Sequence, residues 1–177
     1  MELTNKTFKT PAVTLTSAHI ATPRTFTDKE TGRVTETREI LVYFSPEENA
    51  EHKEFLSKVQ SMEQNHKSTN TSINKRAIKI YSEDKNAPST FGEHPTDKSI
   101  KFKTKAKNTV DVLVLEGEKF SELLNPTIPY GSEVIIEGNV VAWPQGDATF
   151  EGGRGISLQP TKVRVLRMGK ATANSTN

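Results

Sequence analysis

The segment Lys98-Ser99-Ile100-Lys101-Phe102-Lys103-Thr104-Lys105-Ala106-Lys107 holds five lysines and no acid. On an extended chain Lys101, Lys103, Lys105 and Lys107 point one way, and Ile100, Phe102, Thr104 and Ala106 point the other. Lysines on one face of a strand stand about 6.5–7 Å apart, close to the spacing of successive phosphates along a single nucleic-acid strand. Like charges this close repel one another, which favours a polyanion partner. The competing reading is a solvated edge strand, because lysines also protect sheet edges from unwanted pairing.

Charge elsewhere is segregated too. Beyond Pro160 come Lys162, Arg164, Arg167 and Lys170 with no acid, whereas residues 108–137 carry Asp111, Glu116, Glu118, Glu122, Glu133 and Glu137 against Lys119. The net charge is only +2 over 177 residues, so a basic side is expected from distribution, not from excess. Binding a single strand also needs aromatic platforms for the bases. Trp143, Phe150, Tyr43, Tyr81, Phe91 and Tyr130 are the candidates. Phe150 lies near Arg154 in a Gly-rich stretch. The nucleic-acid-binding set is therefore Lys101, Lys103, Lys105, Lys107, Trp143, Phe150, Arg154, Tyr43 and Arg38.

Signals for catalysis are missing. There is no P-loop or dinucleotide fingerprint, and without cysteine there is no thiolate zinc site, disulfide or Cys nucleophile. The four histidines, His19, His52, His66 and His94, lack metal-ligand spacing and read as surface residues. Glu116 and Glu118 flank a turn glycine and read as solvated. No catalytic residue, metal or cofactor is expected. No apolar run approaches the roughly 18 residues needed to span a bilayer, and the N-terminus lacks a signal-peptide core. A soluble, intracellular protein with no membrane partner is expected.

The elements that would carry these residues are mainly strands. Val13–Ile20 reads as a short strand ended by Pro23. Asp28–Gly32 is a turn cluster. Arg33–Phe44 is a long strand with Val34, Ile40, Val42 and Phe44 on one face. Ser45-Pro46-Glu47-Glu48 signals a helix start, and Phe55, Leu56, Val59 and Met62 make its apolar stripe. Residues 75–99 read as a long connection with a brief strand at Ile78–Tyr81. Strands follow at Ile100–Lys107, Val110–Leu115, Glu133–Trp143 and Ile156–Arg167. One helical turn is expected at Phe120–Leu124, and a bulge or bend at Gly138. About five substantial strands, one amphipathic helix and long loops fit a small five-stranded Greek-key barrel. One domain over 1–168 is expected, with a disordered polar tail at 169–177.

The collinear set Thr16–Pro23, Ser45–His66, Ile78–Asp84, Ile100–Ala106, Val110–Val114, Ser132–Ile136, Val140–Trp143 and Gly155–Gln159 resembles the OB-fold single-stranded-DNA-binding proteins of phage replication, especially those of short-tailed phages. The likeness implies an OB-fold-like barrel with the helix packed across it. Ile100–Ala106 and Val110–Val114 would form its central hairpin. It implies a protein that coats and protects ssDNA during replication, recombination or repair, in the host-cell cytoplasm if phage-encoded, with Trp143 where the family carries an aromatic proposed to stack on bases. It also implies a replicative polymerase and a helicase-primase as partners, and a homodimer, both reached through an acidic C-terminal tail. This chain departs there, since Gly169–Asn177 contains no acid. The residues alone leave two alternatives, an OB-type protein-interaction module and an RNA-binding protein.

Overall fold

Period-two alternation becomes strands throughout the computed structural model, which describes residues 1–65, 78–80, 98–124, 126–143 and 155–169. In chain order these are β1 (Glu2–Leu3), β2 (Thr7–Lys9), β3 (Val13–Thr27), β4 (Val34–Phe44), α1 (Ala50–Asn65), β5 (Ile78–Ile80), β6 (Lys98–Lys105), β7 (Asp111–Glu116), β8 (Lys119–Glu122), β9 (Glu133–Trp143) and β10 (Gly155–Arg167). The protein is mainly β with one described helix. No helix among the described residues is long and apolar enough to cross a membrane.

The strands form one ladder in the order β5-β6-β4-β3-β9-β10-β7-β8, with β2 added against β9 and β1 against β2. All pairs are antiparallel except β7 with β10. The hydrogen-bonded ladder is open. Its two arms are joined by the chain itself, where β6 turns through Ala106–Val110 into β7. The expected hairpin between Ile100–Ala106 and Val110–Val114 is therefore absent: β6 pairs with β4 and β5, and β7 with β10 and β8. The turn at its base is held by other strands, since Ala106 N–H donates to Glu36 O at 3.0 Å.

One side of every long strand feeds a single apolar cluster. Leu15, Ile40, Val42, Phe44, Ile100, Phe102, Val134, Ile136, Val163 and Val165 are buried in it. The helix closes it as the apolar stripe predicts: Phe55, Leu56 and Val59 are buried, and Phe55 stacks on Phe44 with centroids 5.5 Å apart. The helix starts later than Ser45-Pro46 suggests. Asn49 caps it, its Oδ1 accepting from the Glu51 and His52 amides at 3.0 and 3.3 Å, while Ser45–Asn49 form only a turn. His52 corrects the surface reading. It is buried, its Nδ1 accepts from Ser45 N–H at 2.9 Å, and its Nε2 donates to Ala12 O at 2.7 Å, tying the helix to the turn before it and to the chain just ahead of β3.

Other departures have local causes. Pro23 does not end β3. It sits where the β3–β4 register jumps between His19 and Arg24, so the missing N–H falls in a bulge and the strand resumes to Thr27. Val34 is exposed, unlike Ile40, Val42 and Phe44, because that end of β4 extends past the core. Phe120 and its neighbours form β8, not a helical turn: Gly117 takes a left-handed φ of 65° and folds the chain back onto β7. The N-terminal hairpin was not expected. Its Phe8 is buried and stacks on Phe102 at 5.2 Å.

The bulge expected at Gly138 lies instead on the strand opposite it, and Gly138 itself is a point of close approach. Phe8 pairs with Gly138 across β2–β9, and β10 shifts register opposite it, between Pro160 and Lys162. A Cβ here would collide with the Gln159 carbonyl and come within 2.9 Å of the Phe8 ring. Gly138→Ala is expected to destabilise the fold by about 1–3 kcal/mol, as overpacking does. The check is a denaturant midpoint that falls while the m-value is kept.

Candidate nucleic-acid interface

Inward packing of Ile100, Phe102 and Thr104 forces the alternate residues of β6 outward. Lys103 and Lys105 are exposed, Lys101 is half-buried, and Lys107 is exposed just beyond the strand. The ribbon anticipated from the sequence thus exists. Full pairing with β4 on one side sets the lysines on the outer face of the sheet, while β5 covers the other side of β6 over Lys98–Ile100 alone, so that from Lys101 on the row runs along the border of the described ladder.

Register shows what shares that face. Thr37, Glu39, Leu41 and Tyr43 on β4 stand opposite Lys105, Lys103, Lys101 and Ser99. Across β4, the β3 residues Arg24, His19, Ser17 and Thr14 stand opposite Thr37, Glu39, Leu41 and Tyr43. Beyond the end of β6 the β3–β4 ladder continues as a two-stranded arm, where Phe26 pairs with Thr35 and so keeps to the same face as Arg24. Phe26 is 68% exposed. From Tyr43 to the level of Phe26 is eight residues of β4, about 26 Å at strand rise.

The arm is built to hold its shape. Asp28 Oδ1 accepts from the Glu30 and Thr31 amides at 2.8 and 3.2 Å, and Gly32 takes the left-handed conformation at φ 70°. Those two amides, Glu30 first, hold the Asp28 carboxyl below the usual carboxylate range. The cap is therefore present above the ordinary carboxylate pKa and is lost only in stronger acid, as pH falls through the lowered value.

Glu39 lies at the centre of the face. Its Oε2 is 3.3 Å from Arg24 Nη1 and 3.8 Å from Lys101 Nζ, and its Oε1 accepts from the Thr37 hydroxyl at 3.2 Å. Arg24, Phe26 and Glu39 were all missed by reading the sequence. The available signal was the alternation on either side of the Asp28–Gly32 turn, which marks a hairpin. Ending β3 at Pro23 hid it.

The remaining candidates fall in different places. Tyr43 is half-buried on the face itself. Arg38 points to the inner side, as the register partner of Thr104. Its Nε donates to the Ala106 and Asn108 carbonyls at 3.1 and 3.0 Å, and its Nη1 to the Ile20 carbonyl. It clasps the β6–β7 turn to β3. Trp143 ends β9 opposite Gly155; its side chain, and Phe150, Arg154, Tyr81, Phe91 and the tail from 170, lie outside the described residues. Where β6 gives way to β7, Lys107, Asn108 and Thr109 border an open polar cleft of about 440 Å³, with Asn139, Gln159 and Thr161 opposite. Among the described residues, no three His, Asp or Glu side chains stand together as metal ligands would.

The basic run after Pro160 does not form a second patch. Lys162 is in register with Asp111 and Glu137, Arg167 with Glu133, and Arg164 Nε lies 3.0 Å from Glu137 Oε2. The two charge blocks seen in the sequence are laid side by side and offset one another. The Arg164 guanidinium also covers the Phe120 ring at 5.1 Å.

Comparison with known proteins shows the fold. No protein-family model matches the sequence, and no curated protein matches it. Among solved structures, the single-stranded DNA-binding protein of bacteriophage Enc34 in complex with ssDNA is similar at a TM-score of 0.66 and 16% identity, over 98% of this chain and 96% of that one. A C-terminal truncation of the Enc34 protein aligns at 0.62 and 17% identity, over 97% and 95%. Gp2.5, a single-stranded DNA-binding protein encoded by bacteriophage T7, aligns at 0.56 and 14% identity, over 95% and 90%. The structural neighbours are thus phage ssDNA-binding proteins, and the chain has their OB-like fold over nearly its full length.

The Arg38 clasp generates a direct expectation. Lysine keeps the charge but loses the planar fork that reaches three carbonyls. Arg38→Lys should lower stability by about 0.5–1.5 kcal/mol, the usual net worth of a hydrogen bond that water can partly replace, read as a lower melting temperature.

Proposed function

We propose that this protein binds single-stranded DNA without sequence preference, coats and protects it during phage DNA replication, recombination or repair in the host cytoplasm, and catalyses no reaction. The observation that carries the reading is the row Lys101, Lys103 and Lys105, held outward on one sheet face together with Tyr43 and Phe26. Strands in these positions are the usual oligonucleotide-binding face of an OB barrel. The DNA backbone would follow the lysines, with Lys107 prolonging the row, while bases turn toward the aromatics. Trp143, Phe150 and Arg154 would extend the platform, and Arg38 would serve by holding the ribbon's end in place. The Enc34 neighbour, solved with ssDNA, supports the same ligand class. A replicative polymerase and a helicase-primase are the partners such a coat would meet.

Electrophoretic shift with ssDNA, duplex and RNA of equal length tests the reading, with ssDNA expected to bind best. If about four phosphates are neutralised, log K should fall with log[salt] at a slope near −3, from roughly −0.7 per contact on single strands. The variant Lys103→Glu/Lys105→Glu should weaken binding to all sequences alike and flatten that slope, with little change in melting temperature. Equal affinity for duplex, or an unchanged slope in the folded variant, would overturn the proposal.

Stacking is tested separately. Oligo-dT should quench the fluorescence of Trp143, the single tryptophan. Phe26→Ala and Trp143→Ala should each cost about 1–3 kcal/mol of binding, the usual range for one stacked base. A collapse of the melting temperature in Trp143→Ala instead would assign the Trp143 ring to the core.

A further inference from the structure

An acid sits in the middle of the cationic face, and its placement is specific. The Glu39 side chain is only 11% exposed, and both carboxylate oxygens are occupied, one by the Thr37 hydroxyl and the other by two cations. Burying a carboxylate is unfavourable without such partners. Yet neither cation is enclosed: Arg24 is 59% and Lys101 34% exposed, so both present charge to solvent on the side where a strand of DNA would lie. An approaching phosphate meets Arg24, the nearer of the two cations, already paired with a carboxylate that offsets one of the two positive charges. Glu39 is tethered at ion-pair distance, so its effective concentration exceeds that of any free phosphate. Lys103, the register partner of Glu39, is exposed, and so is Lys105.

We propose that Glu39 is a built-in competitor for DNA phosphate, which holds Arg24 back from the DNA and limits how tightly the face binds. This rests on the ssDNA reading and refines it. With Glu39 in place, the lysine row and not Arg24 carries phosphate neutralisation. When a cation exchanges Glu39 for a phosphate, the protein gives up one ion pair for another, and the net gain is small. A coat limited in this way stays removable by whatever must follow it along the strand.

The test measures ssDNA affinity against salt for the full chain and three variants: Glu39→Gln, Arg24→Gln and the double variant. Glu39→Gln keeps size and one acceptor oxygen but removes the competing charge. It should tighten binding on the order of tenfold at about 0.1 M salt and steepen the slope by about 0.7, one step for the Arg24 charge released. Arg24→Gln alone should leave the slope almost unchanged, because Arg24 is already spent on Glu39. In the Glu39→Gln background the same change should remove a full step of about 0.7. A purely structural role for Glu39 would move the melting temperature and not the slope. The proposal is overturned if Glu39→Gln binds no tighter, or if Arg24→Gln alone removes a full step. Should Glu39→Gln fail to fold, the Arg24→Gln result decides by itself. A wild-type chain that binds ssDNA at a slope near −3 while Glu39→Gln matches it overturns this inference alone; a wild-type chain that does not bind ssDNA overturns both.

Discussion

Eight consecutive register pairs between β4 and β6, from Thr37–Lys105 to Phe44–Lys98, hold the functional face together. A slip of one residue would turn Lys101, Lys103 and Lys105 into the core and Ile100, Phe102 and Thr104 out of it. The slip is prevented from the inside. Phe102 packs on Phe8, Ile40 is its register partner, and all three are buried. The position of every charge on the outer surface is thus set by apolar contacts on the other side of the strand. Lysines carry the chemistry of this face, and phenylalanines decide where they stand.

The face ends where the ladder can no longer continue. At Ala106 the chain leaves β4 and swings into β7, which runs parallel to β10. That change of direction leaves backbone carbonyls without ladder partners, and they take donors from elsewhere. Arg38 supplies them to Ile20, Ala106 and Asn108, so one guanidinium joins three segments distant in sequence. Gly138 and Pro160 make the corresponding bend on the opposite wall, where β10 shifts register against β9. Curvature here comes from irregular residues at defined points, the usual means by which a sheet is closed on itself.

Electrostatics follow the ladder and not the chain. The acidic stretch 108–137 and the basic residues after Pro160 are far apart in sequence, but parallel and antiparallel pairing with β10 brings Asp111, Glu133 and Glu137 beside Lys162, Arg164 and Arg167. Their fields offset one another within one wall. On the β3–β4–β6 wall, among the described residues, Glu39 is the acid that shares the face of the lysines, while Glu36 on the same strand has the opposite parity. Concentration of positive charge on that face is a product of which strands are neighbours.

What the sequence determined by itself was local. Alternation over 98–107 placed lysines on one side and Ile100, Phe102 and Thr104 on the other, because side chains of a strand must alternate wherever one side is buried. Phe55, Leu56 and Val59 announced the helix and its buried stripe by the same logic at a different period. The OB-like class followed from the strand inventory and from a collinear resemblance. Partnership was not legible. Nothing local says that β6 pairs with β4 and not with β7, that Glu39 comes to lie between Arg24 and Lys101, or that Arg38 is consumed by carbonyls nearly 20 and 70 residues away. The β3–β4 arm with Phe26 was lost because Pro23 reads as a strand end, and only the bulge around it lets the ladder resume. Such features depend on long-range register, which is chosen by the packing of the whole core and not by any segment alone.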